Sequence, residues 1–464
     1  MNCSTSLFDH QQRAVDKLIR SRVSGLFMDM GTGKTRTAIE FAYLRQNRIG
    51  NVVWFCPVSL METVRYEIEK HTGEQAYVFD DDTTMRTVPD TFWYVVGIES
   101  ISSSDRVTLT ANSIVTPESF VIVDESSYIK GHASIRTRRI TRIGSRARYR
   151  MILTGTPVSQ GVVDLYAQMR FLSPKILGYN SFYSFAANHL EYSEDYPGLI
   201  VRAHNVDWLA AKIQPYVYQV TKNECLDLPR KLYDARYFQM TNEQYELYER
   251  AKWDILYKVD DYEQLETYTL FRIFTALQQV THGFWNRNGN ELIECDHYRI
   301  KVLLETVQDI PTDEQVIVWT KYHYSIRQIV ASLRAAYGAE NVTQFHGCVT
   351  DRESELRRFR DGARFLVATQ ATGGHGLTLN EANYVVFYSN EFKYSTRIQA
   401  EDRCHRIGQD RKVTYIDLVC SKSIDERIQR ALEKKESVAR SFRRDVDRLK
   451  DKNKDAVEEF VKSL

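Results

Sequence analysis

Short runs of consecutive apolar and β-branched residues alternate with helix-sized segments along the first third of the chain. Continuous runs of this length are typical of buried parallel strands in α/β units. The runs are GLFMD (25–29), NVVWFC (51–56), WYVVGI (93–98), FVIVD (120–124) and RMILTG (150–155). They predict a first lobe built on a parallel sheet.

The pattern changes from about residue 173 to 300, where the chain is rich in tyrosine and helical in period. In this part, Tyr245, Tyr248, Trp253 and Tyr257 have helical spacing, which favours a packed core over a base-stacking surface. The segment NRNGNE (286–291) indicates a hairpin tip.

Apolar runs then resume, and they predict a second lobe of the same kind. The runs are QVIVWT (315–320), VTQFH (342–346), RFLVAT (364–369), NYVVFY (383–388) and KVTYIDLV (412–419). From about residue 424 the chain is helical in period with mixed charges. The fold class predicted is α/β, with two parallel-sheet lobes, helical insertions between them and a C-terminal helical segment.

Composition and charge disfavour several classes of protein. The formal net charge of the 464 residues is +1, so a nucleic-acid surface would have to be a local patch. The 7 cysteines form no CxxC pair, which disfavours a disulfide framework or a structural metal. No apolar run reaches the roughly 18 residues of a membrane span and no export signal is visible. We therefore expect a soluble, intracellular protein that makes no membrane contact, cytoplasmic if bacterial or viral.

A candidate phosphate-binding loop follows the first apolar run. The strand leads directly into MGTGKT, where Gly31, Thr32 and Gly33 form a tight loop whose amides can face phosphate. Lys34 would neutralise the β- and γ-phosphates, and the Thr35 hydroxyl would help to hold Mg²⁺. The loop predicts a site for ATP and Mg²⁺.

A pair of acids follows the fourth run, in VIVDESS. The carboxyl end of a parallel strand is where open α/β sheets bind ligands. Asp124 is therefore a candidate to hold Mg²⁺, and Glu125 a candidate base that orients the attacking water. The alternative is a helix N-cap at Asp124.

Six segments together carry a resemblance to a known family. In chain order they are SLFDHQQRAV, CPVSLMETVRYEIEK, DESSYIKGHAS, LTGTPVSQGVVDLYAQMRFLSP, ATQATGGHGLTL and QAEDRCHRIGQ. They resemble the motifs of the Swi/Snf-like ATPases, double-stranded DNA translocases of helicase superfamily two, and the HRIGQ ending is the most specific. The chain departs from the family at Ser127, usually histidine, at Thr378, usually asparagine, and at Phe392 and Lys393, usually Trp-Asn.

The resemblance implies a domain organisation. It makes 1–220 an N-terminal RecA-like ATP-binding lobe with a helical protrusion from about 173. A helical insertion and linker would occupy 221–300, and a C-terminal RecA-like helicase lobe 301–430. Residues 431–464 would be a helical tail, which makes the chain close to a bare motor, as in some viral or bacterial members.

The resemblance also implies roles for individual residues. Gln11 maps to the glutamine that reads adenine, and Gly376 to the nucleotide site. Contacts with DNA sugar and phosphate, which give little sequence specificity, would come from Pro57, Ser59, Thr154, Gly155, His346, Gly347 and Thr369.

Two arginines lie three positions apart in QAEDRCHRIGQ. The resemblance assigns Arg403 and Arg406 to the γ-phosphate of ATP, where arginines stabilise transition-state charge. Because they belong to the second lobe and the phosphate loop to the first, hydrolysis would require closure of the lobes. A solvated basic helix face is the alternative.

A basic stretch, RTRRITRIGSRARYR (136–150), holds seven arginines and no acid. We expect Arg138, Arg142 and Arg146 to contact DNA phosphates. The alternatives are a solvated face or ion pairs with acids of the helical insertion.

The favoured function is an ATP-driven translocase or remodeller that moves along double-stranded DNA and displaces a bound protein. A true helicase or branch-migration motor of the same superfamily is the alternative among enzymes. A catalytically silent DNA-binding scaffold is the alternative of another class.

Overall fold

A computed structural model describes the chain in two compact units, Met1–Asp227 and Leu228–Leu464. The described residues are 3–155, 157, 161–192, 200–226, 228–256, 267–287, 289, 291–373 and 377–434. In this part of the chain, no helix combines the length and the apolar character that a bilayer crossing requires.

The first unit is built on a parallel sheet with strand order β3-β4-β2-β5-β6-β1-β9. A separate antiparallel hairpin joins β7 to β8. The strands are β1 (Val23–Met28), β2 (Asn51–Cys56), β3 (Tyr77–Val78), β4 (Trp93–Gly97), β5 (Ser119–Val123), β6 (Tyr149–Thr154), β7 (Leu190–Tyr192), β8 (Ile200–Ala203) and β9 (Val217–Val220).

The helices of this unit connect and cover the sheet. They are α1 (Asp9–Leu18), α2 (Lys34–Arg45), α3 (Met61–Thr72), α4 (Ile98–Ser103), α5 (Asp105–Ile114), α6 (Ile135–Gly144), α7 (Val163–Leu172), α8 (Pro174–Leu177), α9 (Phe182–His189), α10 (Val206–Ile213) and α11 (Lys222–Cys225). Short 3₁₀ segments span Val58–Leu60, Ser126–Ile129 and Gln214–Tyr216.

Both faces of the first sheet are buried, and this explains the continuous apolar runs. Along β2, Val53 and Phe55 pack into one core, while Trp54 and Cys56 pack into the core on the opposite face. A strand covered on both faces carries apolar residues at every position and shows no alternation.

The second unit contains a parallel sheet with strand order β10-β17-β16-β13-β15-β14. A separate antiparallel hairpin joins β11 to β12. The strands are β10 (Lys231–Phe238), β11 (Phe284–Arg287), β12 (Glu291–Glu294), β13 (Val316–Thr320), β14 (Val342–Phe345), β15 (Phe365–Thr369), β16 (Tyr384–Phe387) and β17 (Val413–Cys420).

Helices surround this sheet and add a core of their own. The helices are α12 (Asn242–Leu256), α13 (Thr267–Thr281), α14 (Arg299–Gln308), α15 (His323–Tyr337), α16 (Arg352–Arg360), α17 (Gln370–Gly373), α18 (Tyr394–Glu401) and α19 (Ile424–Glu433), with a 3₁₀ turn at Ala339–Asn341. The added core packs Tyr248 of α12 and Leu277 of α13 against Ile428 of α19.

The predicted fold class is confirmed, since every apolar run singled out in the sequence is a strand of one of two parallel sheets. The hairpin at 286–291 is also confirmed by the pairing of β11 with β12. In the aromatic stripe Tyr248 is buried and Trp253 packs against the same core, but Tyr245 is 57% exposed. Tyr257 and the segment 435–464 lie outside the described residues.

Apart from the predicted hairpin, the helical period noted between about 173 and 300 did not reveal the strands that lie in this segment. The longest of them, β10, pairs in parallel with β17 and forms an edge of the second sheet. Most of its side chains are exposed or half-buried, including Tyr233 and Tyr237. An edge strand with this exposure has no continuous apolar run, so the hydrophobic pattern could not reveal it.

Candidate functional site

The loop between β1 and α2 has the backbone shape of a phosphate cradle. Gly31 and Gly33 adopt positive φ angles of 79° and 85°, which side chains of L-residues rarely tolerate. Gly33 is also the N-cap of α2, and the N-terminus of a helix favours anions because its first amides point away from the helix. The geometry fits the phosphates of a nucleotide.

Lys34 lies at the base of this loop. Its Nζ atom donates hydrogen bonds to the carbonyl oxygens of Met28, at 2.9 Å, and Asp29, at 3.2 Å. The lysine is buried, and Thr35 beside it is half-buried. The ammonium group therefore sits against the loop that would hold the phosphates.

Gln11 of α1 contacts the same loop. Its Nε2 atom donates to the carbonyl oxygens of Thr32 (3.2 Å) and Gly33 (3.4 Å), while its Oε1 atom accepts from the Phe8 amide (3.0 Å). The neighbouring His10 also binds the Thr32 carbonyl, through Nε2 at 2.8 Å. Gln11 supports the loop in this structure, and adenine reading by its side chain stays a prediction. Sequence reasoning missed His10, although it directly precedes Gln11.

The acidic pair lies at the carboxyl end of β5, one strand removed from β1 in the sheet. The amide of Asp124 donates to the Phe55 carbonyl at 2.7 Å, and a carboxylate oxygen of Asp124 accepts from the Glu125 amide at 2.9 Å. Burial, reinforced by the Glu125 charge, raises the pKa of Asp124 to about 7, while the charge of Lys34 opposes the shift. The charge of Lys34 therefore acts on Asp124.

Glu125 occupies an unusual backbone conformation. Its φ angle is 47°, in the left-handed region that non-glycine residues seldom enter. Strain of this kind concentrates at functional sites. Glu125, and not Asp124, is the N-cap of the following 3₁₀ segment, and it makes no side-chain capping bond. The helix-cap alternative for Asp124 is therefore not supported.

A polar link joins the acidic motif to the segment after β6. The Ser126 hydroxyl donates to Gln168 Oε1 at 2.6 Å, and Gln168 Nε2 donates to the carbonyl oxygens of Pro157, at 2.9 Å, and Asp164, at 2.8 Å. Both Ser126 and Gln168 are fully buried. The substitution at Ser127 therefore leaves a polar connection in place, carried one residue earlier. Sequence reasoning did not single out Gln168, although it lies within the fourth of the six segments that carry the family resemblance.

In the second unit, Arg403 and Arg406 converge on one carbonyl group. Both donate through Nη1 to the Leu377 oxygen at 3.2 Å, and Arg403 Nε also donates to the Gln399 carbonyl at 3.1 Å. Arg403 is buried and Arg406 half-buried, which disfavours a solvated helix face. Gly376 lies outside the described residues.

The segment that carries the two arginines is anchored by a buried ionic network. Glu401 accepts from Lys231 of β10 (2.9 Å), from the Tyr233 hydroxyl (2.8 Å) and from Arg397 Nε (2.9 Å). Arg397 also pairs with Asp417 of β17, Nη2 to Oδ2, at 3.0 Å. Although burial opposes it, the charges of Lys231 and Arg397 lower the pKa of Glu401.

Comparison with known proteins identifies the family. A family model for the SNF2-related domain matches residues 10–283, and a model for the helicase conserved C-terminal domain matches residues 298–408. The chain belongs to the SNF2-related family. This confirms the resemblance drawn from the motifs.

Several SNF2-related relatives and solved structures are similar to the chain. An uncharacterized ATP-dependent helicase of Mycoplasma genitalium is 23% identical over 71% of this chain and 31% of that protein. ATP-dependent DNA helicase DDM1 of Arabidopsis thaliana is 24% identical over 91% of this chain and 60% of that protein. The solved Sulfolobus solfataricus SWI2/SNF2 ATPase core in complex with dsDNA has a TM-score of 0.44 and 21% identity, covering 93% of this chain and 92% of that chain. The chain spans less than half the length of its bacterial relatives.

The basic stretch of this SNF2-related chain presents one exposed arginine face. Arg138 and Arg142 lie four residues apart on α6, opposite the buried Ile140 and Ile143, and Arg146 follows just beyond the helix end. All three arginines are exposed, although the Arg146 guanidinium donates to the Asn112 carbonyl. The exposed face has the spacing that a phosphate backbone could contact.

Other arginines of the stretch are engaged within the first unit. Arg139 pairs with Asp105 of α5, and Arg136 lies 5.5 Å over the Tyr128 ring. The pairing partner of Arg139 is thus an acid of its own unit and not of the helical segment expected to supply one.

The remaining predicted DNA contacts lie where strands end in the two parallel sheets. They are the residues after β2 (Pro57, Ser59), at and after the end of β6 (Thr154, Gly155), after β14 (His346, Gly347) and at the end of β15 (Thr369). Of these, Ser59 and Gly347 are exposed, Gly155 is half-buried and the others are buried. Each sheet therefore gathers its group at its own carboxyl edge.

Proposed function

We propose that this chain hydrolyses ATP and uses the energy to move along double-stranded DNA. The observation that carries the proposal is the carboxyl edge of the first sheet, where the glycine loop, Lys34 and the pair Asp124–Glu125 come together. Membership of the SNF2-related family supports the same conclusion.

Each residue at this edge has a role that its geometry supports. The loop amides and Lys34 would bind the β- and γ-phosphates, and Thr35 and Asp124 would hold Mg²⁺. Bound there, Mg²⁺ would neutralise charge that develops on the phosphate oxygens. Glu125 would accept a proton from the attacking water, whose oxygen bonds to the γ-phosphorus as the bond to the ADP oxygen breaks.

Arg403 and Arg406 would stabilise charge on the γ-phosphoryl group in the transition state. Their shared contact with the Leu377 carbonyl keeps the two guanidinium groups together, which supports a joint role toward one anion. Such arginines contribute roughly 10³–10⁵ in rate in related enzymes.

Double-stranded DNA is the proposed partner because the exposed arginines of α6 and the strand-end groups would contact sugar and phosphate. We also propose that movement along the DNA displaces a protein bound to it. Because these contacts go to the sugar–phosphate backbone of DNA and not to the bases, we expect the protein to show little preference for DNA sequence.

Strand separation is the second candidate function, since relatives carry the name helicase and a strand-separating pin could be built on the antiparallel hairpin of β11 and β12. In this hairpin, however, Phe284 and Trp285 are buried, and Arg287 is paired with Asp254. A pin that unstacks bases would expose such aromatic rings, so the hairpin favours translocation.

The test is a steady-state ATPase assay with duplex and single-stranded DNA of equal length, beside triplex-displacement and forked-duplex assays. We expect stronger stimulation by duplex, displacement of the triplex strand and no unwinding of the fork. Lys34→Ala should fold, as checked by thermal unfolding, and lose turnover. Robust unwinding of the forked duplex would favour the helicase function. ATP turnover by Lys34→Ala would refute the assignment of the nucleotide site to this loop.

A further inference from the structure

Three metal-binding side chains meet at the carboxyl edge of the second sheet, outside the nucleotide site. His323 is the first residue of α15 and follows β13, while His346 and Cys348 follow β14. Their ligand atoms all lie within 4.8 Å of one another. The fold therefore brings His323 next to His346 and Cys348, although His323 lies far from them in the sequence.

The distances suit a tetrahedral ion. The Cys348 Sγ atom lies 3.9 Å from His323 Nδ1, and the two imidazole rings stand 5.3 Å apart, centroid to centroid, at an angle of 68°. Zinc bonds of about 2.3 Å to sulfur and about 2.0–2.1 Å to nitrogen place tetrahedral ligands roughly 3.6 Å apart. A movement of a few tenths of an ångström closes the difference for Cys348 and His323, and the 4.8 Å limit on the other pairs asks for at most about one ångström more.

Two hydrogen bonds fix the proton on His346. Its Nε2 atom lies 3.2 Å from Gln344 Oε1, an oxygen that can only accept, so Nε2 carries the proton. The Cys348 amide donates to Nδ1 at 3.3 Å, which requires a lone pair there. The lone pair of Nδ1 faces the Cys348 segment and accepts this long amide hydrogen bond, which an ion bound at Nδ1 would replace. Gln344 supplies the outer hydrogen bond that orients metal-binding histidines in proteins.

We propose that His323, His346 and Cys348 bind a zinc-class transition metal ion. Two imidazoles and one thiolate suit Zn²⁺ or Co²⁺, whereas Mg²⁺ and Ca²⁺ prefer oxygen ligands. His323 and Cys348 are exposed, so a water molecule can complete the fourth position. The sequence-based expectation that the chain holds no structural metal rested on the absence of a CxxC pair and of any other recognised metal-ligand spacing along the chain.

The site does not depend on nucleotide or DNA, so binding is measured on the protein alone. Tag-free, reduced full-length protein is titrated with Co²⁺, and the thiolate-to-cobalt charge-transfer band is followed before Zn²⁺ is added to displace it. We expect one ion per chain. Cys348→Ser should abolish the band, and His323→Ala should weaken affinity at least about 100-fold, since loss of an outer partner alone costs 10–100-fold.

Cys225→Ser is the matched control, because Cys225 is a partly exposed thiol of the first unit, where its Sγ donates to the Thr221 carbonyl. This variant should bind Co²⁺ like the wild type. Gln344→Leu should weaken binding about 10–100-fold while keeping the band. A band that survives Cys348→Ser, disappears in Cys225→Ser, or forms with unchanged affinity in His323→Ala would overturn the proposal.

Discussion

Substitution of Gly33 by alanine tests whether Gln11 sets the shape of the phosphate loop. A Cβ atom at Gly33 would overlap Gln11 Nε2, and the φ angle of 85° would strain any L-residue. The left-handed conformation costs about 1–2 kcal/mol. Displacing Gln11 from its two carbonyl partners and from the Phe8 amide adds about 1.5–4.5 kcal/mol, at roughly 0.5–1.5 for each of the three hydrogen bonds.

Gly73 offers a matched control. It has a φ angle of 72°, but a Cβ atom there would meet nothing within 4 Å. Gly73→Ala should therefore cost only the conformational strain, about 1–2 kcal/mol. Gly33→Ala should cost about 2.5–6.5 kcal/mol in total, by the sum of strain and lost hydrogen bonds.

Thermal and denaturant unfolding, beside binding of a fluorescent nucleotide, measures both effects. Gly33→Ala should lose nucleotide affinity, whereas Gly73→Ala should keep it. In a Gln11→Ala background, Gly33→Ala should cost no more than Gly73→Ala, because the obstructing side chain is gone. Equal destabilisation by the two glycine substitutions in the wild-type background would refute the packing of Gln11 on the loop.

Three further expectations concern turnover and DNA. Glu125→Gln should bind ATP yet fail to hydrolyse it, and near wild-type turnover would show that another group is the base. Arg406→Ala should keep nucleotide affinity within a few-fold while turnover collapses, whereas equal loss of both would assign it to ground-state binding. Joint removal of charge at Arg138, Arg142 and Arg146 should weaken DNA binding and flatten its salt dependence with basal ATPase intact; an unchanged slope would leave this face merely solvated.

Much of the fold could be predicted from the chain because burial on both faces imposes continuous apolar runs. The same rule fails for β10, where most side chains are exposed or half-buried and the strand joins the sheet through its backbone. Pairing with a strand far along the chain leaves no local trace in the sequence. Tertiary contact, and not propensity, decides that this segment is a strand.

Some residues of the candidate site could also be predicted from the sequence, and others could not. Lys34 and Asp124 could be found from the sequence because each follows a buried strand, and strand ends meet at one edge of a parallel sheet. Gln168 and His323 could not, because each acts through a partner that only the fold brings near. Functional residues that directly follow a buried strand can therefore be predicted from the sequence, whereas residues that a helix brings to the site cannot.

The strand that the sequence concealed is also the one that holds the arginine segment. Lys231 and Tyr233 of β10 both contact Glu401, whose carboxylate is buried two residues before Arg403. Breaking one partner of such a buried ionic group costs about 3–5 kcal/mol, because the remaining charge is left without compensation. The contacts of Glu401 with β10 therefore fix the position of the segment that contains Arg403 and Arg406. If they act on a phosphoryl group, their placement rests on an edge strand whose own sequence carries no catalytic pattern.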